Sequence, residues 1–245
     1  MQAISKNNLD WKGWGDFTLQ IENLRKTERY QTEEKGIAFA QAFSYQVIKD
    51  LWRIVDASHQ WDCRKPRFQT VPLNFEETML AKEIANFFST LNVMEYAYLI
   101  GNLYTMLLPN TYRSSNGVYY TPPVLAERLL DLLAAEGADF GQSIFLDPAC
   151  GGGAFLVTVA NRMLGDYRVK SLPAEERLRH LENHLNGMEI DQFAALLTQC
   201  LLDIVVYPES IAAGRRLKSV IQIQDTIQYA INGEKKYDVI VGNPP

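Results

Sequence analysis

A glycine-rich turn follows an apolar run in the stretch FLDPACGGGAFL, residues 145–156. The run ends at Asp147, and a helix pattern begins directly after the turn. Glycines let a backbone approach a ligand closely, and the start of a helix offers N–H groups without partners. The turn therefore predicts a nucleotide-type ligand site. It is not a dinucleotide fingerprint, because Leu156 stands at the third glycine position, and no Gly-Lys-Ser/Thr follows to make it a phosphate loop.

Polar residues also end three later apolar runs and are candidates for the same kind of site. Glu189 closes LNGME, Asp225 follows SVIQIQ, and Asn243 follows YDVIVG. Pro244 and Pro245 come next, and two prolines predict a stiff loop, because they donate no backbone hydrogen bond and cannot continue a central strand. An acid at a strand end can also be only the N-cap of the next helix, and for Asp225 both interpretations stay open.

Short apolar runs alternate with helix patterns after residue 140. The runs at 142–147, 184–191, 219–225 and 237–243 are typical of strands, and 153–164 and 192–206 are typical of helices. This alternation predicts a parallel α/β sheet with right-handed crossovers. The polar segment 165–183 is expected to lengthen the first crossover by a short, exposed helix.

Helix patterns dominate the chain before the glycine-rich turn. Residues 1–115 are predicted to form a helical domain and residues 116–245 an α/β domain. Apolar residues with helical spacing form one face: Ile84, Phe87, Phe88 and Leu91. Asn92 followed by Glu95 is a capping signal for the next helix, and Pro109 is expected to end that helix.

The stretch TPPVLAERLLDLLAAEG, residues 121–137, predicts a well-capped helix. Thr121 suits the N-cap, and Pro122 suits the first helical position, where its missing N–H costs nothing. Gly137 suits the position just past the helix end.

Composition is that of a globular protein, with 47% hydrophobic and 22% charged residues. No run of about 18 apolar residues occurs, so no membrane span is expected. The net charge of −5 does not by itself indicate a nucleic-acid binder, and we interpret the basic run RKPR at 64–67 as a solvated loop. Three isolated cysteines predict neither a disulfide framework nor a metal site, and they fit a reducing cytoplasm.

These stretches resemble the motifs of S-adenosylmethionine-dependent amino-methyltransferases. DPACGGGAFL at 147–156 is similar to motif I and departs from it only at Gly152, where the family commonly has Ser. GVYYTPP at 117–123 resembles motif X, which precedes motif I in the γ-ordered adenine methyltransferases. GMEID at 187–191, IQIQDTI at 221–227 and VIVGNPP at 239–245 resemble motifs II, III and the start of IV. The resemblance covers roughly residues 95–245.

The fold implied is α/β, with the first four strands of a doubly wound Rossmann-like sheet after a helical N-terminal domain. The implied cofactor is S-adenosylmethionine. The residues implied to bind it are Tyr120, Thr121, Pro122, Asp147, Ala149, Cys150, Gly151, Glu189, Ile190 and Asp225. The first seven would hold the methionine end, Glu189 the ribose hydroxyls, and the last two the adenine ring. Cys150 is expected to be a packing residue and not a nucleophile.

The resemblance implies that Asn243, Pro244 and Pro245 act on the amino group of a target adenine. The Asn243 amide oxygen and the Pro244 carbonyl would accept its two hydrogens, from a loop that the prolines hold preorganised. Asn at the first position favours adenine N6 over cytosine N4. The family's next residue, an aromatic that stacks on a flipped base, lies beyond the sequence. We therefore expect a chain truncated within motif IV, which binds the cofactor without transferring the methyl group.

The implied parent is a DNA adenine-N6 methyltransferase of a restriction–modification system, either a type I modification subunit or a fused type IIG-like enzyme. Its expected partners are double-stranded DNA and, in a type I system, specificity or restriction subunits. Two alternatives stay open. One is a non-catalytic cofactor-binding or assembly module. The other is a protein-glutamine methyltransferase, which also uses NPPY but usually lacks the Pro-Ala-Cys run.

Overall fold

The computed structural model of the protein describes residues 13–116, 121–232 and 236–244. The helices ahead of the sheet are α1 Trp14–Leu24, α2 Glu33–Val55, α3 Phe75–Phe88, α4 Val93–Leu107, α5 Asn110–Asn116 and α6 Pro123–Ala135. The strands are β1 Phe145–Asp147, β2 Leu185–Glu189, β3 Ile221–Ile223 and β4 Val239–Ile240. The helices between strands are α7 Ala154–Gly165, α8 Tyr167–Lys170, α9 Ala174–His184, α10 Gln192–Val205, α11 Tyr207–Ala213 and α12 Thr226–Asn232.

The four strands form one parallel sheet in the order β3-β2-β1-β4. Phe145 of β1 pairs with Leu185 of β2 on one side and with Val239 of β4 on the other. The strand order reverses between β1 and β4, and ligands of open α/β sheets bind beyond the carboxyl ends at such a point. The predicted partial Rossmann-like sheet is confirmed.

One apolar core runs from the N-terminal helices into the sheet region. The long helix α2 packs against α3, α4 and α10, and α4 also packs against α7. Phe43 of α2, Leu103 of α4 and Phe193 of α10 are fully buried members of this core. The division into domains at 1–115 and 116–245 stays a prediction.

Helix ends follow several of the expected signals. Asn92 and Glu95 form a reciprocal capping box at the start of α4, as predicted, and Asn74 and Glu77 form another at the start of α3. Gly137 has φ of 96° just past α6, a left-handed value that glycine adopts readily.

The predicted N-terminus of α6 is wrong by one residue. The N-cap is Pro122, with φ −58° and ψ 143°, and the helix begins at Pro123. A proline disfavours helical backbone angles in the residue before it, so Pro123 favours the extended conformation of Pro122. Thr121 therefore lies outside the helix and does not cap it.

The segment 165–183 forms α8 and most of α9, which is less exposed than its polar composition suggests. Leu178 and Leu181 of α9 are fully buried, and the helix packs against β2, α7 and α11. Within the described ranges no single helix is long and apolar enough to cross a membrane. Helices α10 and α11 reach that length and apolarity only together, and they are bent by 66° at their break.

The basic run at 64–67 is not a solvated loop throughout, which corrects the prediction. Arg64 Nε lies 2.5 Å from Oδ2 of Asp203 in α10, and Arg64 Nη2 donates to the Leu217 carbonyl at 2.6 Å. Arg216 pairs with the same carboxylate, whose side chain is 2% exposed. The next residue, Lys65, keeps a side chain that is 77% exposed. Arg64 thus fixes the segment between α2 and α3 onto α10.

We predict that Arg64→Leu destabilises the protein by about 2–4 kcal/mol, because it leaves the buried Asp203 carboxylate with one cation fewer. Lys65→Leu is the matched control, since its exposed pair with Asp62 should contribute less than about 0.5 kcal/mol. Urea unfolding of both variants measures the difference. Equal stability of the two variants would contradict a structural role for Arg64.

Candidate functional site

Backbone hydrogen bonds hold the turn after β1. Cys150 N–H donates to the carbonyl of Met188 in β2 at 3.0 Å, and Gly153 N–H donates to the Cys150 carbonyl at 2.7 Å. Gly151 and Gly153 have φ of 50° and 83°, values that favour glycine. Cys150 is buried, and burial raises the pKa of its thiol, which is the environment of a packing residue.

Glu189, at the end of β2, links the two strands that meet at this turn. Its Oε2 accepts a hydrogen bond from Gly151 N–H at 2.8 Å, and its Oε1 accepts one from Asp191 N–H at 2.8 Å. Each carboxylate oxygen can accept two hydrogen bonds, so both keep acceptor capacity toward a ligand. The predicted acceptor at the end of β2 is therefore already held in place by two amides.

Asp147, at the end of β1, lies beside the loop that follows β4. It is 2% exposed, and its Oδ1 accepts from Ala149 N–H at 3.2 Å. A Cβ atom added to Gly242 would lie 2.8 Å from the same oxygen. Asn243 and Pro244 follow Gly242 directly and are exposed. The topology thus brings Asp147 and the Asn243 loop to one edge of the sheet.

Asp147 and Glu189 are two nearby carboxylates without a cation. Burial raises the pKa of Asp147 to about 7, and the nearby Glu189 raises it as well. Burial also raises the pKa of Glu189. In the described part of the chain, neither carboxylate pairs with a Lys, Arg or His side chain; their hydrogen-bond donors are backbone amides. Because buried like charges disfavour ionisation, this edge of the sheet favours a ligand that carries positive charge.

Ile190 and Asp225 lie at the ends of β2 and β3. Ile190 is 70% exposed, so its apolar surface is available to pack against a ligand. Asp225 Oδ1 accepts from Ile227 N–H at 2.9 Å and from Gln228 N–H at 3.4 Å. It therefore caps α12, the second of the interpretations left open by the sequence. Asp225 Oδ2 has no hydrogen-bond partner among the residues that the structure describes.

The segment ahead of α6 is placed only in part. Thr121 is buried and Pro122 is half-buried, and α6 packs against α7. No hydrogen bond within the described ranges joins Thr121 to the turn after β1. Tyr120 and Pro245 lie outside the described residues. The structure thus brings together the predicted residues at the ends of the four strands, whereas the part of 120–122 in the site stays a prediction.

Two threonines hold carbonyls of the turn, and neither is predictable from the sequence. Thr198 of α10 is fully buried and donates its hydroxyl to the Gly151 carbonyl at 2.6 Å. Thr226 at the start of α12 donates its hydroxyl to the Pro148 carbonyl. The sequence pattern around Thr198 is the same whether its side chain only packs in the core or also hydrogen bonds to a distant turn. Its role is therefore visible only from the tertiary contact.

Comparison with known proteins gives one family. The profile described as N-6 DNA Methylase matches residues 96–245. The type II restriction enzyme and methyltransferase RM.BcgI of Heyndrickxia coagulans is 31% identical over 126 residues, 51% of this chain and 18% of that protein. The type I restriction enzyme EcoEI methylase subunit of Escherichia coli is 24% identical over 222 residues, 87% of this chain and 41% of that protein.

The type II methyltransferase M.VspI of Vibrio sp. (strain 343) is 27% identical over 146 residues, 60% of this chain and 29% of that protein. The chain therefore spans at most 41% of the length of these curated relatives. No solved structure gave a significant match.

We predict that Asp147→Asn stabilises the protein at pH 8. The pKa of Asp147 is about 7 in the folded state against 3.8 ordinarily, so the stability present below pH 4 is lost as the pH rises through 7. Removing the charge should restore up to about 4 kcal/mol at pH 8, at about 1.4 kcal/mol per pKa unit. Urea unfolding of both proteins at pH 5 and pH 8 measures this, and a difference that does not grow with pH would contradict it.

We predict that Gly242→Ala destabilises the protein by about 1–3 kcal/mol, since the added methyl group would press on Asp147 Oδ1 and on Pro148. Gly165→Ala in α7 is the control, because nothing lies within 4 Å of its added Cβ. Urea unfolding compares the two. If both variants match the wild-type protein, the loop after β4 is not held against Asp147.

Proposed function

Because the chain belongs to the N-6 DNA methylase family, we propose that it binds S-adenosylmethionine at the carboxyl ends of β1, β2 and β3, for transfer of a methyl group to adenine N6 in DNA. Buried Asp147 and half-buried Glu189, two carboxylates that pair with no cation among the described residues, carry this proposal. S-adenosylmethionine has a positively charged sulfonium and an ammonium group, so its charge suits this edge of the sheet.

The methionine end fits the turn after β1. Asp147 ends the strand and can accept hydrogen bonds from the ammonium group. Gly151, with its left-handed backbone and no side chain, lets a ligand approach the peptide bonds of the turn closely. Ionised Asp147 and a cationic ligand stabilise each other, which offsets the cost of burying the carboxylate.

The adenosine end fits the ends of β2 and β3. The acceptor capacity that remains on Glu189 suits two adjacent ribose hydroxyls, and charge-assisted hydrogen bonds of this kind are the strong ones. The exposed side chain of Ile190 offers an apolar surface for the ring. The remaining oxygen of Asp225 can accept from the exocyclic amine while the other oxygen caps α12.

The loop after β4 would receive the target base. The bound cofactor supplies an electrophilic methyl group, and the protein must orient the amine that attacks it. The lone pair of an adenine amine is delocalised into the ring. Acceptance of its two hydrogens by the Asn243 amide oxygen and the Pro244 carbonyl favours a pyramidal nitrogen with a directed lone pair. This loop lies beside Asp147 at Gly242. The bound methyl donor and the target amine would therefore meet at one edge of the sheet.

Partners are proposed from the relatives. RM.BcgI is named both a restriction enzyme and a methyltransferase, and the EcoEI protein is named a methylase subunit. We propose double-stranded DNA as the substrate and other restriction–modification subunits as the partners in assembly.

Calorimetric titration with S-adenosylmethionine and with 5′-methylthioadenosine tests the cofactor proposal. Glu189→Ala should weaken binding of both ligands by about 1–3 kcal/mol, the contribution of a hydrogen bond to a charged group. Asp147→Asn should weaken binding of S-adenosylmethionine only, since 5′-methylthioadenosine has no ammonium group.

Lys82→Ala, a change at an exposed residue of α3, is the control and should bind both ligands as the wild-type protein does. A folded wild-type chain that binds neither ligand would refute the proposal. Equal losses for both ligands in Asp147→Asn would remove Asp147 from the methionine end.

A further inference from the structure

Helix α4 reaches the candidate site through a buried tyrosine. Tyr104 is fully buried, and its hydroxyl donates to Oδ2 of Asp191 at 3.1 Å. Its ring packs on Phe193 with centroids 4.7 Å apart. A tyrosine in the helical part of the chain therefore contacts the segment that follows the end of β2.

Asp191 connects Tyr104 to Glu189 in the candidate site. Its Oδ1 caps α10 by accepting from Phe193 N–H at 2.7 Å and Ala194 N–H at 3.3 Å. Its own N–H donates to Oε1 of Glu189, whose Oε2 accepts from Gly151 N–H. A continuous chain of contacts thus runs from Tyr104 through Asp191 and Glu189 to the turn after β1.

A second tyrosine lies near the same carboxylate. Asp191 and Glu189 are close enough to Tyr112 of α5 for their charges to act on its hydroxyl. Burial, together with the charges of Asp191 and Glu189, raises the pKa of Tyr112 to about 12, so its hydroxyl stays protonated and able to donate at neutral pH. Helix α4 therefore directs a hydroxyl to the residue that holds Glu189, and α5 places a second tyrosine near it.

We propose that Tyr104 is a positioning residue for Glu189, through which the N-terminal helices set the affinity for the methyl donor. This inference rests on the proposed function. Glu189 can accept two ribose hydroxyls well only if its carboxylate is held before the ligand arrives, because ordering it on binding would cost free energy. The hydroxyl of Tyr104 fixes the Asp191 carboxylate, and with it the backbone amide that holds Glu189 Oε1.

Tyr104→Phe tests the proposal, because it removes the hydroxyl and keeps the ring that packs on Phe193. Tyr96→Phe is the matched control: Tyr96 is also buried on α4, and its hydroxyl has no hydrogen-bond partner among the described residues. Calorimetry on the full chain should show the Kd for S-adenosylmethionine raised about three- to tenfold in Tyr104→Phe and within twofold of wild type in Tyr96→Phe. Equal affinities in the two variants would overturn the proposal.

A double variant tests whether Tyr104 acts through Glu189. In a Glu189→Ala background, Tyr104→Phe should cause no further loss of affinity, because the group that it positions is gone. An undiminished three- to tenfold loss in that background would overturn the proposed route.

Amide hydrogen exchange without ligand separates this proposal from the cofactor assignment. The Gly151 and Asp191 amides should exchange faster in Tyr104→Phe than in the wild-type protein and in Tyr96→Phe, while the amides of α2 remain unchanged. Unchanged exchange at both amides would overturn the positioning role. Absence of S-adenosylmethionine binding by the wild-type protein, with the exchange difference observed, would instead refute the proposed function and leave the contact between α4 and the turn supported.

Discussion

A single carboxylate, that of Glu189, joins the ends of β1 and β2, two of the strands that build the candidate site. Its bond to the Gly151 amide holds the turn after β1 against the end of β2, and its bond to the Asp191 amide sets the start of α10. Residue 151 has a left-handed backbone, with φ of 50°, and glycine adopts that conformation readily. Both bonds use backbone donors, and no side chain of the described residues donates to this carboxylate.

The sheet itself is too short to hold this geometry alone. The ladders of β1, β3 and β4 contain three, three and two residues, fewer than is usual for strands. The helices supply what the strands lack: Thr198 of α10 and Thr226 of α12 bond the turn, and α2 packs behind α10. An edge that carries one buried and one half-buried carboxylate disfavours folding, and the apolar core shared by the helices and the sheet offsets that cost.

Much of the fold is predictable from local signals, because those signals act over a few residues. The four strands, the capping box of Asn92 and Glu95, and the glycine after α6 all follow from patterns within one element. Predictions that depend on distant partners fail or stay open. Arg64 belongs to a basic run that looks solvated, and only the fold brings Asp203 to it. Thr198 likewise shows its role only when α10 lies beside the turn.

The predicted N-cap at Thr121 is wrong for a local reason, because Pro123 disfavours a helical backbone at Pro122. The site residues also divide into those predictable from local sequence and those that depend on distant contacts. Asp147 and Glu189 are predictable because a strand end followed by a turn marks them, whereas Asp191 and Tyr104 depend on helix α4 packing against α10.

The close approach of Gly242 to Asp147 means that a substitution at either position limits which residues the other can hold. A smaller side chain at 147 would remove the closest contact of an added Cβ at 242, whereas with aspartate at 147 any larger residue at 242 lowers stability. Across diverging sequences the two positions are therefore expected to change together.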